Sequence, residues 1–322
     1  MIAELLSVSL LSGGLLVAFG RHAEALGFID TPNHRSSHHR PTPVGGGICF
    51  AIAITGTLAI SAGVAGDAPG STWTLCGIGI LMASVGLLDD RWCLPVWPRM
   101  VLYALSAVVL AVTQLHEVPV WVLLLVVFGL TWLINLVNFM DGSDGLVATH
   151  SMAVCAGMAS IGLFFPEAGP VVSLALLILF ALLPFLWMNW PPASVFMGDS
   201  GAVFLGLFLG ALGLASWQVS DRLACAWLAM MMPFIVDSGM TLVIRAVKGQ
   251  SVFAAHRDHG YQRLLTCGES PLLLLLGLLA IHGVWQFPCA LVIVQTSYSP
   301  LVAVIFSAIP SIVVVTYLQR HT

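Results

Sequence analysis

The sequence predicts an all-α bundle of about eleven transmembrane helices, with the N-terminus outside and the C-terminus cytoplasmic. Three observations carry that prediction. Hydrophobic residues make up 59% of the 322-residue chain and charged residues only 8%, too little polar surface to cover a soluble globule of this size. Apolar runs of the roughly 20 residues needed to cross a bilayer recur between short polar connections. The basic residues, finally, fall almost entirely on one side of the resulting map.

The spans read as 2–19, 45–65, 71–88, 99–115, 119–137, 146–164, 170–188, 200–217, 222–245, 271–294 and 299–318. The connection at Gln114-Leu115-His116-Glu117 is tight, and the last two spans are divided only by Thr296-Ser297-Tyr298-Ser299-Pro300. With the N-terminus outside, Arg21, Arg35, Arg40, Arg91, Arg99, Arg245, Lys248, Arg257, Arg263 and Arg320 fall inside and only Arg222 falls outside. Lys and Arg collect on the cytoplasmic side of span ends, so this partition fixes the orientation and supports the span count. An error of one span would scramble it. The first run has Glu4 and no basic residue ahead of it, unlike a secretory signal peptide, and is expected to remain as a span. The seven cysteines are scattered, mostly within spans, with neither a disulfide framework nor a zinc spacing.

Polar residues cluster in a few stretches. Asn138-Phe139-Met140-Asp141-Gly142-Ser143-Asp144-Gly145 places two carboxylates and two glycines directly after an apolar run. Carboxylates three apart project to one side of a helical turn, and the glycines let backbone approach a ligand. Such a pair suits a hard cation such as Mg²⁺, which often brings phosphates with it; a capped helix end would use the same residue types. Asn135 and Asn138 lie beside the aspartates.

The connection over 20–44 carries Asp30 to Gly47 with His34, Arg35, His38, His39 and Arg40 before a Gly-rich helix entry. It is either an anion-binding segment or a basic loop resting on lipid headgroups. Asp89-Asp90-Arg91 ends the third span; adjacent carboxylates both stay ionised only if compensated, and Arg91 alone could do so. In the other reading one of them holds metal and its neighbour takes a proton. The seventh span runs into Asn189-Trp190-Pro191-Pro192 and on to Met197-Gly198-Asp199-Ser200-Gly201, where Asp199 is an N-cap, a metal ligand or both. Asp237 lies roughly 12 Å along its helix from Arg245, a depth at which an ionisable group is a functional-site hypothesis by default, although hydrogen bonding within the bundle or a raised pKa would also tolerate it. The last long loop holds His256-Arg257-Asp258-His259-Gly260-Tyr261-Gln262-Arg263. No third zinc ligand stands at a usual spacing, so it reads as an anion-binding loop.

All of these clusters except Asp237 fall on the face that the basic residues had fixed independently. One surface then holds Asp89, Asp90, Asp141, Asp144 and Asp199 beside Arg40, His256, Arg257 and His259, the parts list of metal-assisted phosphate chemistry. The ordered set PTPxGGG, LLDDR, NFMDGxDGL, NWPPASVFMGDSG and HRxHxYQRL resembles the polyprenyl-phosphate N-acetylhexosamine-1-phosphate transferases of glycosyltransferase family 4, over about Asp30 to Leu264.

The resemblance implies one integral membrane domain over 1–322, with an active site built from loops at about 20–44, 89–98, 138–145, 189–199 and 246–270. It implies transfer of a sugar 1-phosphate from a UDP-N-acetylhexosamine to undecaprenyl phosphate with release of UMP, at the cytoplasmic face of a bacterial inner membrane. Mg²⁺ is the implied cofactor, with Mn²⁺ as its substitute, and Asp199 its principal ligand. Asp89 is implied as base or lipid-phosphate partner beside Asp90; Asn138, Asp141, Asp144 and Asn189 line the nucleotide pocket or assist the metal; Arg40, His256, Arg257 and His259 hold phosphate or sugar. No nucleic acid is expected as a partner; a homodimer is allowed. The lipid I synthase branch has a triple-histidine loop and a lysine before its TPT motif, where this chain has His256-Arg257-Asp258-His259 and His39-Arg40. The HRxHxYQ form resembles instead the O-antigen-initiating branch. A transporter of nucleotide-sugars or lipid phosphates is the rival from another class, and would spread polar residues through the membrane.

Overall fold

The structure, a computed structural model, describes residues 1–32, 40–66, 69–115, 117–251 and 256–321. Helices dominate them: α1 Ile2–Leu26, α2 Gly47–Ala65, α3 Gly70–Trp92, α4 Val96–Gln114, α5 Val120–Met140, α6 Leu146–Gly162, α7 Gly169–Asn189, α8 Gly198–Val219 and α9 Asp221–Val247. After these come a short α10 Gly260–Thr266, then α11 Pro271–Ile281 and α12 Phe287–Gln295, and finally α13 Pro300–Ser307 and α14 Ile309–His321. The two strands β1 Ile29–Asp30 and β2 Thr42–Pro43 form a small antiparallel pair. Proline sets many of the helix entries. Pro69, Pro95 and Pro119 immediately precede α3, α4 and α5, and Pro271 and Pro300 occupy the first turn of α11 and α13, where a missing N–H costs nothing.

Among the described residues ten helical paths are long and apolar enough to cross a membrane, which makes this a polytopic all-α bundle. α11 and α12 form one such path through a π-helical turn at His282–Gln286, and α13 and α14 form another. The remaining expected span, 146–164, corresponds to α6, whose 17 residues reach only about 26 Å. Its side chains are buried almost throughout, so neighbouring helices shield it from lipid along its length. Exposed tryptophans mark two interfaces: Trp73 and Trp121 near one set of helix ends, Trp92, Trp97, Trp187 and Trp190 near the other, as amphipathic rings do at headgroup level.

α8 is the central helix. Phe204, Leu205, Phe208 and Leu212 on it are fully buried, with α3, α5, α2 and α9 packed around it. The Phe204 and Phe208 rings stack at 4.1 Å, and Phe50 of α2 meets Phe185 of α7 edge-on at 5.2 Å. In lipid such close packing, rather than removal of apolar area from water, holds helices together. α7 and α9 continue through Pro184 and Pro233. Inside the second half of the bundle, buried His150 and His282 hydrogen-bond each other at 3.0 Å, and the His150 ring stacks on Phe234 at 3.6 Å. Arg222, alone at its face in the charge partition, donates to the Ile293 carbonyl at 2.6 Å and ties the start of α9 to the end of α12.

Candidate active site

The centre of the site is where α3 ends, α4 begins and α8 starts. Arg99, in the first turn of α4, directs Nη1 at two carboxylates: it donates to Asp89 Oδ2 in a short contact and to Asp199 Oδ2 at 2.9 Å. A second bond to Asp89 Oδ1 comes from the Leu94 N–H at 2.6 Å. Asp90 faces the other way. Its two oxygens accept the backbone N–H groups of Asp199 at 2.7 Å and Ser200 at 3.2 Å, both in the opening turn of α8, where N–H groups have no intrahelical partner. Asp199 is thus not an N-cap; it lies inside the first turn after Gly198, its backbone is held by Asp90, and its carboxylate is left to meet Arg99. Gly198 has φ 72° and a Cβ there would fall 2.5 Å from Asp90 Oδ2, so only glycine lets α8 begin against that carboxylate.

Arg91 does not compensate this pair. One residue beyond Asp90 it projects from a different side of α3, donates to the Leu26 carbonyl and lies over the Phe28 and Trp92 rings at 5.6 and 5.5 Å. Arg99 takes the compensating role. Sequence adjacency hid it, because ten residues and the turn at Cys93–Pro95 separate it from Asp89.

The acidic loop adjoins this centre. Asn138 lies near enough to act on the Asp199 carboxylate, yet its buried Nδ2 makes no hydrogen bond of ordinary geometry. Asp141 follows the last residue of α5. Burial pushes its carboxyl up to about 8, the charges of Asp90 and Asp144 add to the rise, and a hydrogen bond from the Gly198 N–H opposes it. Asp144 accepts from the Ala193 N–H at 2.9 Å. Asn189 is engaged at both ends of its amide, accepting from Gly145 N–H at 2.9 Å and donating to the Val195 carbonyl at 2.8 Å. It clamps the acidic loop to the 190–197 connection. The strand pair completes the rim: the Phe196 N–H donates to Pro43 O at 2.7 Å and the Gly46 N–H to Phe196 O at 3.0 Å.

Arg40 is exposed just before β2, whereas the other basic residues expected in that segment, His34 to His39, lie outside the described residues. The rings of His256 and His259 lie tilted to each other at 4.9 Å and to Phe139 at 6.4 and 6.0 Å, which brings their loop to the end of α5; Arg257 between them is exposed. Burial, with His259 and Arg245 nearby, holds the His256 imidazole below its usual range. Asp237 accepts the backbone N–H groups of Gly260 at 2.7 Å and Tyr261 at 3.1 Å, the hydrogen-bonded alternative that its depth allows. It anchors the entry to α10.

Among the described residues no three His, Cys, Asp or Glu side chains converge to hold a metal by themselves. Mg²⁺ makes no such demand, since it takes one or two carboxylates and fills its shell with water and phosphate. Asp89 and Asp199 meet that requirement: one cationic nitrogen contacts both, so one divalent ion could as well.

The raised Asp141 carboxyl gives a testable stability signature. Its proton is bound more tightly in the folded protein than at the ordinary carboxylate value of 3.8, so the metal-free protein should lose stability as pH rises from 3.8 to about 8. His256, shifted the opposite way, works against this at the acid end. In EDTA, the melting temperature of the wild type should therefore fall with pH relative to Asp141→Asn; parallel curves for the two proteins would refute it.

Residues 72–217 match the sequence family described as glycosyl transferase family 4. That match covers 146 of the chain's 322 residues. Among individual proteins it is 28% identical over 290 residues to a decaprenyl-phosphate N-acetylglucosaminephosphotransferase of Mycobacterium tuberculosis, covering 77% of this chain and 71% of the relative. It is 27% identical to a probable undecaprenyl-phosphate N-acetylglucosaminyl 1-phosphate transferase of Bacillus subtilis, over 78% and 73% of the two chains. A phospho-N-acetylmuramoyl-pentapeptide-transferase of Lactiplantibacillus plantarum is 29% identical over 63% of this chain and 68% of its own. The family match spans α3 to α8 and so includes Asp89, Asp90, Arg99, Asn138, Asp141, Asp144, Asn189 and Asp199, while the loop of His256 and His259 lies beyond it.

Proposed function

We propose that this chain is a member of that family and transfers an N-acetylhexosamine 1-phosphate from a UDP-sugar to undecaprenyl phosphate, releasing UMP, at the cytoplasmic face of a bacterial inner membrane. The observation that carries the reading is the meeting of Asp89 and Asp199 on Arg99, at the end of the bundle where the acidic loop and the His256–His259 loop also lie. In the proposed reaction an oxygen of the lipid phosphate forms a bond to the β-phosphorus of the donor, and the bond from that phosphorus to the bridging oxygen breaks, leaving UMP. No net proton transfer is required when the lipid phosphate is already ionised. Bound Mg²⁺ supplies charge neutralisation on the pyrophosphate oxygens.

The chain's own residues do the rest. Arg99 offers a cation beside the reacting phosphates, and Asp89 orients the incoming lipid phosphate through that same guanidinium. Asp141 and Asp144 line the nucleotide side with Asn138, and His256, Arg257 and His259 face the donor's phosphate or sugar. Support for an N-acetylglucosamine-type donor comes from the names of the mycobacterial and Bacillus relatives, and from a histidine loop unlike the triple-histidine form of the muramoyl-pentapeptide enzymes. The proposed role is a first membrane step in the synthesis of O-antigen or another surface polysaccharide. The charged groups of the site gather at one end of the bundle, an arrangement that favours an enzyme over a polar transport path.

The test is UMP release by detergent-solubilised protein given undecaprenyl phosphate, Mg²⁺ and, separately, UDP-GlcNAc, its 6-deoxy relatives and UDP-MurNAc-pentapeptide. One N-acetylhexosamine donor should dominate. Release confined to the pentapeptide donor would overturn the sugar assignment, and no release from folded protein with any donor would overturn the transferase reading.

A further inference from the structure

Tyr261 is a residue that the site chemistry leaves unused, although it stands between the two loops that the chemistry needs. It is only 3% exposed. Its phenol donates to the Phe139 carbonyl at 3.0 Å, one of the last-turn carbonyls of α5 that a helix end leaves without an internal partner. Two residues further on is Asp141. A Cβ on Gly142 would fall 2.2 Å from the Tyr261 hydroxyl and 3.1 Å from the ring carbon that bears it, so the absence of a side chain at 142 is what admits the ring. Burial raises the phenol out of reach of ionisation at neutral pH, which keeps it a donor.

The other end of Tyr261 is equally fixed. Its backbone N–H and that of Gly260 are bound by Asp237 from α9, His259 immediately precedes this pair as the N-cap of α10, and its ring is nearly parallel to that of Tyr261 at 6.1 Å. The preceding residue is held from three sides: Asp258 is paired with Arg245 and Arg263, and its carbonyl accepts from Gln319 Nε2 of α14 at 2.9 Å. A connected set of contacts therefore runs from α9 and α14, through the loop of His256 and His259, to the last turn of α5.

We infer that Tyr261 is a positioning residue that sets the spacing between the His256–His259 loop and the Asp141–Asp144 loop, with Asp237 as its anchor. It touches neither substrate nor metal. The inference rests on the proposed transferase reading for its effect on turnover, and on geometry alone for its effect on the loops. Two loops that hold opposite ends of one donor must be registered to within a fraction of an ångström, since a displacement of about 1 Å can cost on the order of a hundredfold in rate.

Tyr261→Phe keeps the ring and deletes the donor. It is expected to lower kcat at least about tenfold with a KM for the UDP-sugar within about threefold of wild type, because the binding groups remain and only their mutual placement changes. Independently of turnover, hydrogen exchange of the amides over Asp141–Gly145 should quicken in Tyr261→Phe while those of α8 stay protected. Gly142→Ala should produce the same pattern from the other side of the contact. Since both variants break one contact, the double variant should be no worse than the poorer single one. Wild-type kcat and unchanged exchange in Tyr261→Phe, or defects that multiply in the double variant, would overturn the positioning role. If the wild type itself releases no UMP, the transferase reading fails, and the exchange comparison still decides whether Tyr261 orders the acidic loop.

Discussion

Asp199→Asn is expected to reduce Mg²⁺-dependent turnover by about a thousandfold or more while leaving the protein folded. The magnitude follows from what one preorganised electrostatic group contributes to stabilising developing charge, commonly a factor of about 10² to 10³, together with weakened metal binding. The fold should survive because the backbone of residue 199 is held independently of its side chain: its N–H goes to Asp90 Oδ1, while its carboxylate meets Arg99. An amide at 199 still offers an oxygen to Arg99. What it lacks is the charge that makes a cation prefer the site. The measurements are UMP release across a Mg²⁺ titration and the melting temperature in detergent. Turnover close to wild type at every Mg²⁺ concentration would remove Asp199 from the metal role, and a collapse of the fold would show that the carboxylate is structural.

Much of this site was legible because the chemistry lies in short contiguous motifs at span ends. Asp141 and Asp144 share one turn, and Asp199 follows a glycine that the entry to α8 requires; both signals are local. What the sequence concealed was pairing across space. Beside Asp89 and Asp90 the nearest cation in the chain is Arg91, but successive helical residues are turned by about 100°, and that rotation sends Arg91 to the Leu26 carbonyl. The partner that arrives is Arg99, from the next helix. Asp237 is undecided in the sequence for a related reason. Its depth marks it as costly to leave unpaired, but its partners are backbone N–H groups more than twenty residues later, and no pattern of side chains announces a backbone donor. The helix α6 shows a third limit: hydropathy cannot separate a helix buried among other helices from one facing lipid, so a run buried inside the bundle reads like its ten neighbours.

Asp90 yields the other large expected effect, and it separates two roles that adjacent aspartates leave open. If Asp90 served as a base, Asp90→Asn would lose rate and alter the pH profile but leave stability and metal affinity nearly unchanged. The geometry predicts otherwise. Both Asp90 oxygens accept from the opening turn of α8; an asparagine can accept with one and must turn N–H against N–H with its amide nitrogen, and an alanine leaves both donors without a partner. Each unsatisfied buried donor costs about 1–3 kcal/mol, so Asp90→Ala should lower the melting temperature by several degrees, with Asp90→Asn between it and the wild type. Because the same N–H belongs to Asp199, the loss should carry through to metal affinity and reduce turnover by about a hundredfold. Asp89→Asn provides the contrast: its partners are Arg99 and the Leu94 N–H, so it should lower kcat and weaken Mg²⁺ binding without loosening the start of α8. Melting curves and Mg²⁺ binding for the three variants decide the matter, and an Asp90→Ala protein as stable as wild type, with intact Mg²⁺ affinity, would return Asp90 to the role of base.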